Sequence, residues 1–143
     1  ILLLFIQLII GAFVSGMDAG SIYNTWPLMG SSYYPDDTRL VDFINIGLFN
    51  DPSIVQFIHR NLAYLILIFY LYFLFFILRK KYNKFYLPIL IVGLSLSLQV
   101  ILGIFTILSG VKIIYASLHQ INSIFIVLGS FYFLYISKNQ EVS

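Results

Sequence analysis

The residues best suited to do chemistry in this chain are its two histidines, His59 and His119. Apart from Arg60 beside the first, neither surrounding apolar run holds another acidic or basic side chain in its interior. Ionisable side chains inside apolar membrane segments are rare and usually functional. Two neutral imidazoles that face each other across a gap suit an iron porphyrin, whose metal takes one axial ligand on each face. The pair therefore indicates a haem site, with structural hydrogen bonding by each histidine as the alternative.

Composition and block length define the class of protein. The chain has 143 residues, of which 60% are hydrophobic and 10% are charged. Its four long apolar blocks are near the length of about 20 residues that a helix needs to cross a bilayer, and such unbroken runs satisfy their backbone in lipid as helices. They predict an all-α membrane protein, an antiparallel bundle of four transmembrane helices. The predicted spans are 1–17, 54–78, 85–108 and 113–136, with a loop at 18–53.

Basic residues predict the orientation of this bundle. Four of them lie within 79–84 and Lys138 follows the fourth span, whereas the links at the other end carry Arg39 and Lys112. The positive-inside rule therefore places 79–84 in the cytoplasm or the mitochondrial matrix. The loop then faces outward, and both histidines lie about 8 to 10 Å below the outer face at 1.5 Å per residue.

A weak internal repeat relates the two halves of the chain. Gln7 and Gly11 in the first span have the same spacing as Gln99 and Gly103 in the third, and each of these spans precedes one that carries a histidine. The repeat predicts two similar helix pairs, related by a pseudo-twofold axis along the membrane normal. This symmetry would bring the two histidines to opposite sides of a shared axis, where one planar ligand fits between them.

Small residues accompany both histidines. Ala63 and Ser123 lie four residues after His59 and His119, and residues with this spacing share one face of a helix. A small side chain at this position leaves space for the edge of a porphyrin, which a leucine or phenylalanine would fill. The matched neighbours strengthen the prediction of a shared ligand.

Residues near the outer face have two interpretations each. Arg60 either snorkels to the lipid headgroups or pairs with a haem propionate, since a guanidinium binds carboxylates well. Asp36 and Asp37 are expected to be solvated loop charges instead of metal ligands. The aromatic-rich set of residues in the loop is most simply explained as an interfacial belt at the membrane surface. The same residues could also cover the edge of a haem. That set is Tyr23, Trp26, Pro27, Tyr33 and Tyr34.

Four stretches closely resemble the C-terminal half of the haem A synthase family. They are 16–29 (Gly-Met-Asp-Ala-Gly-Ser-Ile-Tyr-Asn-Thr-Trp-Pro-Leu-Met), 56–64 (Gln-Phe-Ile-His-Arg-Asn-Leu-Ala-Tyr), 99–106 (Gln-Val-Ile-Leu-Gly-Ile-Phe-Thr) and 118–120 (Leu-His-Gln). The first is long and specific, and the match covers all four predicted spans. The resemblance implies that residues 1–143 are the C-terminal haem b-binding domain, half of an eight-helix pseudo-symmetric protein. The start of the chain at an apolar residue without methionine also favours a longer protein.

The resemblance implies an oxidoreductase that converts the C8 methyl of haem O to the formyl group of haem A, for terminal oxidase assembly. It also implies that His59 and His119 are the axial iron ligands of a haem b cofactor. The N-terminal half of the family carries Glu-x-x-His-Arg, but this chain has Gln56 at the glutamate position. Because glutamine cannot take up a proton as a carboxylate does, we expect no catalytic residue in this half. The 143 residues alone should then be inactive.

Two other functions stay open as alternatives. One is a b-type cytochrome that passes electrons between partners, and the other is a transporter half whose histidines relay protons. The chain has no cysteine, which excludes thiolate haem ligation and an iron–sulfur centre within it.

The resemblance also sets the expected surroundings of the protein. The expected location is a bacterial cytoplasmic membrane or the mitochondrial inner membrane. Expected partners are the lipid bilayer, haem O held by the N-terminal half, haem O synthase and oxidase assembly proteins. No nucleic acid is expected.

Overall fold

The computed structural model describes residues 1–39 and 48–138. That part of the chain forms four α-helices and contains no β-strand, which confirms the predicted all-α fold. The helices begin and end within a few residues of the predicted spans. Residues 40–47 of the predicted loop lie outside the described residues, as do 139–143. The helices are α1 (Leu2–Gly16), α2 (Pro52–Lys80), α3 (Tyr86–Leu108) and α4 (Ile113–Lys138).

Three of these helices are long and apolar enough to cross a membrane, namely α2, α3 and α4. The 29 residues of α2 extend about 43 Å at a rise of 1.5 Å per residue. The apolar helix α1 has 15 residues, or about 22 Å, which is shorter than the predicted first span. The chain is thus a multi-pass helical membrane protein.

Helix α2 has clear signals at both ends. The Asp51 carboxylate accepts hydrogen bonds from the backbone N–H groups of Ser53 and Ile54, at 2.9 and 3.3 Å, and Pro52 occupies the first turn. An N-terminal aspartate and proline are favourable because the first-turn N–H groups have no partner inside the helix. The helix ends at Lys80, and the next residue, Lys81, has a φ of 54° in the left-handed region. These signals start α2 two residues before the predicted span.

Consecutive helices run in opposite directions and pack as two pairs, α1 with α2 and α3 with α4. A small core joins the pairs, made of Ile66, Val92, Leu96 and Ile126. Most other large apolar side chains point outward and are exposed, as expected of helices surrounded by lipid. We call the end of the bundle that carries the 17–51 connection and the 109–112 link the loop end. The histidines lie nearer to this end.

Candidate paired-histidine site

The fold brings the two histidines together. The ring centroids of His59 on α2 and His119 on α4 are 6.5 Å apart, and their planes are inclined by 70°. Two imidazoles on one metal ion have centroids about 6 Å apart, because each metal–nitrogen bond is about 2 Å long and each nitrogen lies about 1 Å from its ring centre. The observed separation therefore fits two axial ligands of one iron.

A glycine lies against each imidazole. A Cβ added at Gly11 would be 3.1 Å from Cε1 of His59, and one added at Gly103 would be 3.1 Å from Cε1 of His119. Both glycines thus provide space that any larger residue would take from the ring. The two equal distances show that the sequence repeat is also a repeat in space at the site.

The glutamines of the repeat contact the same two rings. Gln7 Nε2 is 3.4 Å from Nε2 of His59, and Gln99 Nε2 is 3.3 Å from Nε2 of His119. Each histidine therefore has one glutamine and one glycine, both supplied by the neighbouring helix of its own pair. The sequence showed the glutamines as part of a repeat, but it did not assign them to the histidines. Their spacing of four residues from the glycines was the available signal, since such residues share a helix face.

The donor set suits a haem. Among the described residues, Nδ1 of His59 is buried without a hydrogen-bond partner, which is unusual for a polar atom in a folded protein. No group of three or more histidine, cysteine or acidic residues that could hold a bare metal ion occurs in the described part. Two imidazoles alone match a metal whose other ligands come from a porphyrin. Residues His59 and His119 would thus hold the iron.

The neighbours Ala63 and Ser123 lie one turn beyond the histidines, as the sequence indicates. Both are partly buried, and the Ser123 hydroxyl donates to the Gln120 carbonyl of its own helix at 2.6 Å. No larger side chain occupies either position. Their contact with a porphyrin stays a prediction.

Arg60 has a structural role that neither sequence interpretation included. Its side chain is 8% exposed, and its guanidinium donates to three backbone carbonyls of the loop. These acceptors are Tyr23 at 3.2 Å, Thr25 at 3.0 Å and Leu28 at 3.3 Å. In this arrangement Arg60 points into the loop instead of snorkelling to the lipid surface. Its pairing with a propionate stays a prediction.

Gln56 also binds the loop. Its side chain is 2% exposed, and Nε2 donates to the Tyr23 carbonyl at 3.1 Å. Tyr23 therefore accepts hydrogen bonds from both Gln56 and Arg60, which lie one turn apart on α2. The stretch 16–29 carries the most specific part of the family resemblance. The docking of its Tyr23 carbonyl onto α2 gives a structural explanation for part of this stretch.

The loop aromatics pack on α2 as well. Trp26 donates from Nε1 to the Tyr64 hydroxyl at 3.0 Å, while the rings of Tyr33 and Tyr34 meet Phe57 edge-on. At the other side, Asn24 donates to the Ile107 carbonyl near the end of α3, at 3.1 Å. The described part of the loop thus forms a fixed cover over the loop end of α2 and α3.

Asp36 and Asp37 organise this cover. Asp36 accepts hydrogen bonds from the backbone N–H of Ser31 at 2.9 Å and from the Ser32 hydroxyl at 2.9 Å. These bonds, the backbone one foremost, hold the pKa of the Asp36 carboxyl below its usual range. Asp37 accepts from the hydroxyls of Tyr23 and Ser53, both at 2.7 Å. The two carboxylates therefore bind donors of the loop and of the first turn of α2. They do not form a metal site with any third ligand in the described residues.

The fold and this site define a class: multi-pass helical membrane proteins with an intramembrane pair of imidazoles suited to a haem. The chain matches the family described as cytochrome oxidase assembly protein (COX15-CtaA) over residues 1–131. It belongs to this family, which confirms the resemblance to the haem A synthases.

Individual relatives agree with this assignment. The chain is 46% identical to a haem A synthase of Pelagibacter ubique, over 97% of this chain and 40% of the relative. It is 41% identical to that of Wolbachia pipientis wMel, over 100% of this chain and 39% of the relative. It is 34% identical to the haem A synthase of Rickettsia felis, over 89% of this chain and 37% of the relative. The chain thus spans about 40% of the length of the curated relatives it matches. No solved structure matches it.

Proposed function

We propose that this chain forms the haem b-binding half of a haem A synthase, which oxidises the C8 methyl of haem O to the formyl group of haem A. One observation carries the proposal: two histidines from different helix pairs lie 6.5 Å apart, each against a glycine. Membership of the family and the names of the relatives support the assignment to haem A synthesis.

Each residue of the site has a role in this proposal. His59 and His119 bind the iron through one nitrogen each, and a bound haem b supplies one-electron transfer. Gly11 and Gly103 leave the rings their space. The loop cover, docked on Arg60, keeps water from the loop end of the site, and a drier environment strengthens the electrostatic control of a redox centre.

Gln56 binds the loop and has no catalytic part in the proposal. A neutral amide cannot serve as the proton acceptor that the glutamate position provides in the family's other half. Substrate oxidation therefore belongs to an N-terminal four-helix half that binds haem O. Haem O synthase would supply that substrate, and oxidase assembly proteins would receive the product.

The loop end is proposed to face outward from a bacterial cytoplasmic membrane, in line with the bacterial relatives. The excess of basic residues at the opposite end supports this orientation. Reporter fusions check it: one within 79–84 should report the cytoplasm, and one near Asp36 should report the outside. Finding both on one side would contradict the orientation.

Single histidine variants of the full-length protein test the haem assignment. Oxidised protein should show a low-spin, six-coordinate signal by electron paramagnetic resonance, and either His59→Ala or His119→Ala should remove it. Haem A formation should fall in both variants, whereas haem O binding in the other half should persist. A low-spin signal that survives in His119→Ala would show that another residue completes the site. Normal haem A yield with the signal lost would favour a b-type cytochrome role for this half.

A further inference from the structure

The two histidines have different hydrogen-bond environments. His119 Nδ1 lies 3.0 Å from the backbone carbonyl oxygen of Gln99. A carbonyl oxygen only accepts hydrogen bonds, so Nδ1 of a neutral His119 must carry the ring proton. Its Nε2 then has a free lone pair, which in this structure accepts from Gln99 Nε2 at 3.3 Å.

Asn122 fixes this arrangement from the next turn of α4. Its Nδ2 donates to Gln99 Oε1 at 2.7 Å and to the Ser95 carbonyl at 2.8 Å. Because Oε1 accepts from Asn122, the Gln99 amide is oriented with Nε2 toward the ring of His119. Asn122 is 5% exposed, so water does not compete strongly for these bonds. No side-chain atom of His119, Gln99 or Asn122 is among the buried polar atoms that lack a partner in the described residues.

The His59 side lacks the equivalent network. The residue three positions after His59 is Leu62, where His119 has Asn122. Gln7 donates from Nε2 to the His59 backbone carbonyl at 3.0 Å and is 3.4 Å from the ring nitrogen. Within the described residues, both Gln7 Oε1 and His59 Nδ1 are buried without a partner. No acceptor in that part of the chain therefore fixes the tautomer of His59.

This contrast bears on metal binding, because a histidine ligand usually donates its second ring N–H to a carbonyl or carboxylate. That bond orients the ring and makes the ligating nitrogen more basic, and its loss commonly weakens metal binding about 10- to 100-fold. His119 has such an acceptor in the Gln99 carbonyl. His59 has none among the described residues.

We propose that Asn122 is a positioning residue that ties α4 to α3 at Ser95 and Gln99 and so keeps the Gln99 carbonyl on Nδ1 of His119. Nε2 of His119 is then the tight iron ligand once the Gln99 amide gives up its hydrogen bond to that lone pair, while His59 is the ligand that dissociates first. The His59 face of the haem is then the face at which a small ligand such as carbon monoxide enters. The inference rests on the proposed haem site, but its tautomer component concerns the chain itself.

The tautomer component is tested in haem-free, full-length protein with ¹⁵N-labelled histidine. His119 should give the ring-nitrogen shifts of a single Nδ1–H tautomer, and Asn122→Ala should convert them to the averaged shifts of two exchanging tautomers. Ser137→Ala is the matched control, since the Ser137 hydroxyl binds only its own helix, at Leu134. Averaged shifts for His119 in the unaltered protein would overturn the inference without affecting the proposed function.

The ligand component is tested in the haem-loaded protein. His59→Ala should keep its haem as a five-coordinate species that binds carbon monoxide fully when reduced. His119→Ala should retain at least tenfold less haem per protein. Asn122→Ala should weaken haem retention about tenfold, and Ser137→Ala should leave it unchanged. Equal haem loss in both histidine variants, or unchanged haem retention in Asn122→Ala, would overturn this inference and leave the proposed function in place. Absence of haem from the unaltered protein would overturn both proposals.

Discussion

The two helix pairs of this protein repeat one motif in different surroundings. In each pair a glutamine and a glycine on one helix lie against the ring of a histidine on the other, and a Cβ added at either glycine would be 3.1 Å from that ring. Beyond these groups the pairs differ. The α3–α4 pair completes its polar contacts through Asn122, whereas the α1–α2 pair leaves two buried polar atoms without partners in the described residues.

The loop end shows a second difference. Arg60 follows His59 and is buried under the loop, while Gln120 follows His119 and is exposed. Gln56, also bound to the loop, has Ala116 as its counterpart three positions before the second histidine. The long connection of the first pair thus has dedicated docking residues, and the short 109–112 link of the second pair has none at these positions.

These comparisons separate two kinds of constraint. The groups next to the rings are the same in both pairs, as expected if both rings serve one ligand between them. The groups farther from the rings differ because the two pairs have different connections at the loop end, long in the first pair and short in the second. Variants at equivalent positions of the two pairs therefore measure which features belong to the shared site.

The largest effect is expected at the glycines. Gly11→Leu and Gly103→Leu each place a side chain where the imidazole ring lies, and overpacking of this kind costs about 1–3 kcal/mol. Because the ring must move, we expect the intensity of the low-spin haem signal to fall about tenfold or more in each variant. Gly16→Leu is the control, because an added Cβ there meets nothing within 4 Å. A full signal in either ring-contacting variant would mean that the pairs are not equivalent at the ring.

Arg60→Ala should have the next largest effect, on the loop. The change leaves three loop carbonyl groups without their charged donor, and hydrogen bonds to charged groups contribute about 1.5–3 kcal/mol each. Because water can replace the lost donor at the exposed Thr25 and Leu28, we expect a loss of only about 1–2 kcal/mol in stability, with faster proteolysis within the loop. Gln120→Ala, at the equivalent exposed position, should change stability by less than about 0.5 kcal/mol. Similar proteolysis of both variants would contradict the docking role of Arg60.

A smaller effect is expected beside the histidines. Ala63→Phe or Ser123→Phe should lower haem occupancy severalfold while membrane insertion stays normal, because both helices remain apolar but the space next to the ring is filled. Pyridine haemochrome content per protein measures occupancy. Unchanged content in both variants would show that a porphyrin does not lie against these turns, and a one-sided effect would show which pair it lies closer to.

The smallest effect concerns the pH dependence of the loop cover. Because the pKa of Asp36 in the folded protein is below its ordinary value of 3.8, its bonds to Ser31 and Ser32 stabilise the loop above that pH. This contribution is lost as the pH falls below 3.8 through the folded pKa. The fluorescence of Trp26, the only tryptophan of the 143 residues, should therefore be constant from neutral pH and change below pH 3.8. Asp36→Asn should abolish that acid transition, and an unaltered transition would assign it to another group.

Much of the fold was predictable because membrane helices follow from length and apolarity. The predicted spans, 1–17, 54–78, 85–108 and 113–136, all lie within two residues of the observed helix ends. The repeat also placed Gln7, Gly11, Gln99 and Gly103 in equivalent positions before any contact was known.

The contacts of Arg60 and Asn122 were not predictable in the same way. Arg60 binds carbonyls more than 30 residues away in the chain, and backbone carbonyls have no signature in a sequence. In the sequence Asn122 is one of several polar residues on an otherwise apolar helix. Its role depends on how α3 and α4 pack. Spacing rules reach one or two turns along a helix, whereas these contacts depend on rotation and depth between helices.

The sequence by itself determined the helical membrane class, the repeat of two helix pairs and the choice of two histidines as the chemical centre. These follow from apolar length, residue spacing and the rarity of ionisable groups in lipid. Only the tertiary structure decided the 6.5 Å separation of the rings, the seating of the loop on Arg60 and the unequal hydrogen bonding of His59 and His119. The physical reason is that distances, burial and the direction of a hydrogen bond arise from packing between helices, which no single helix contains.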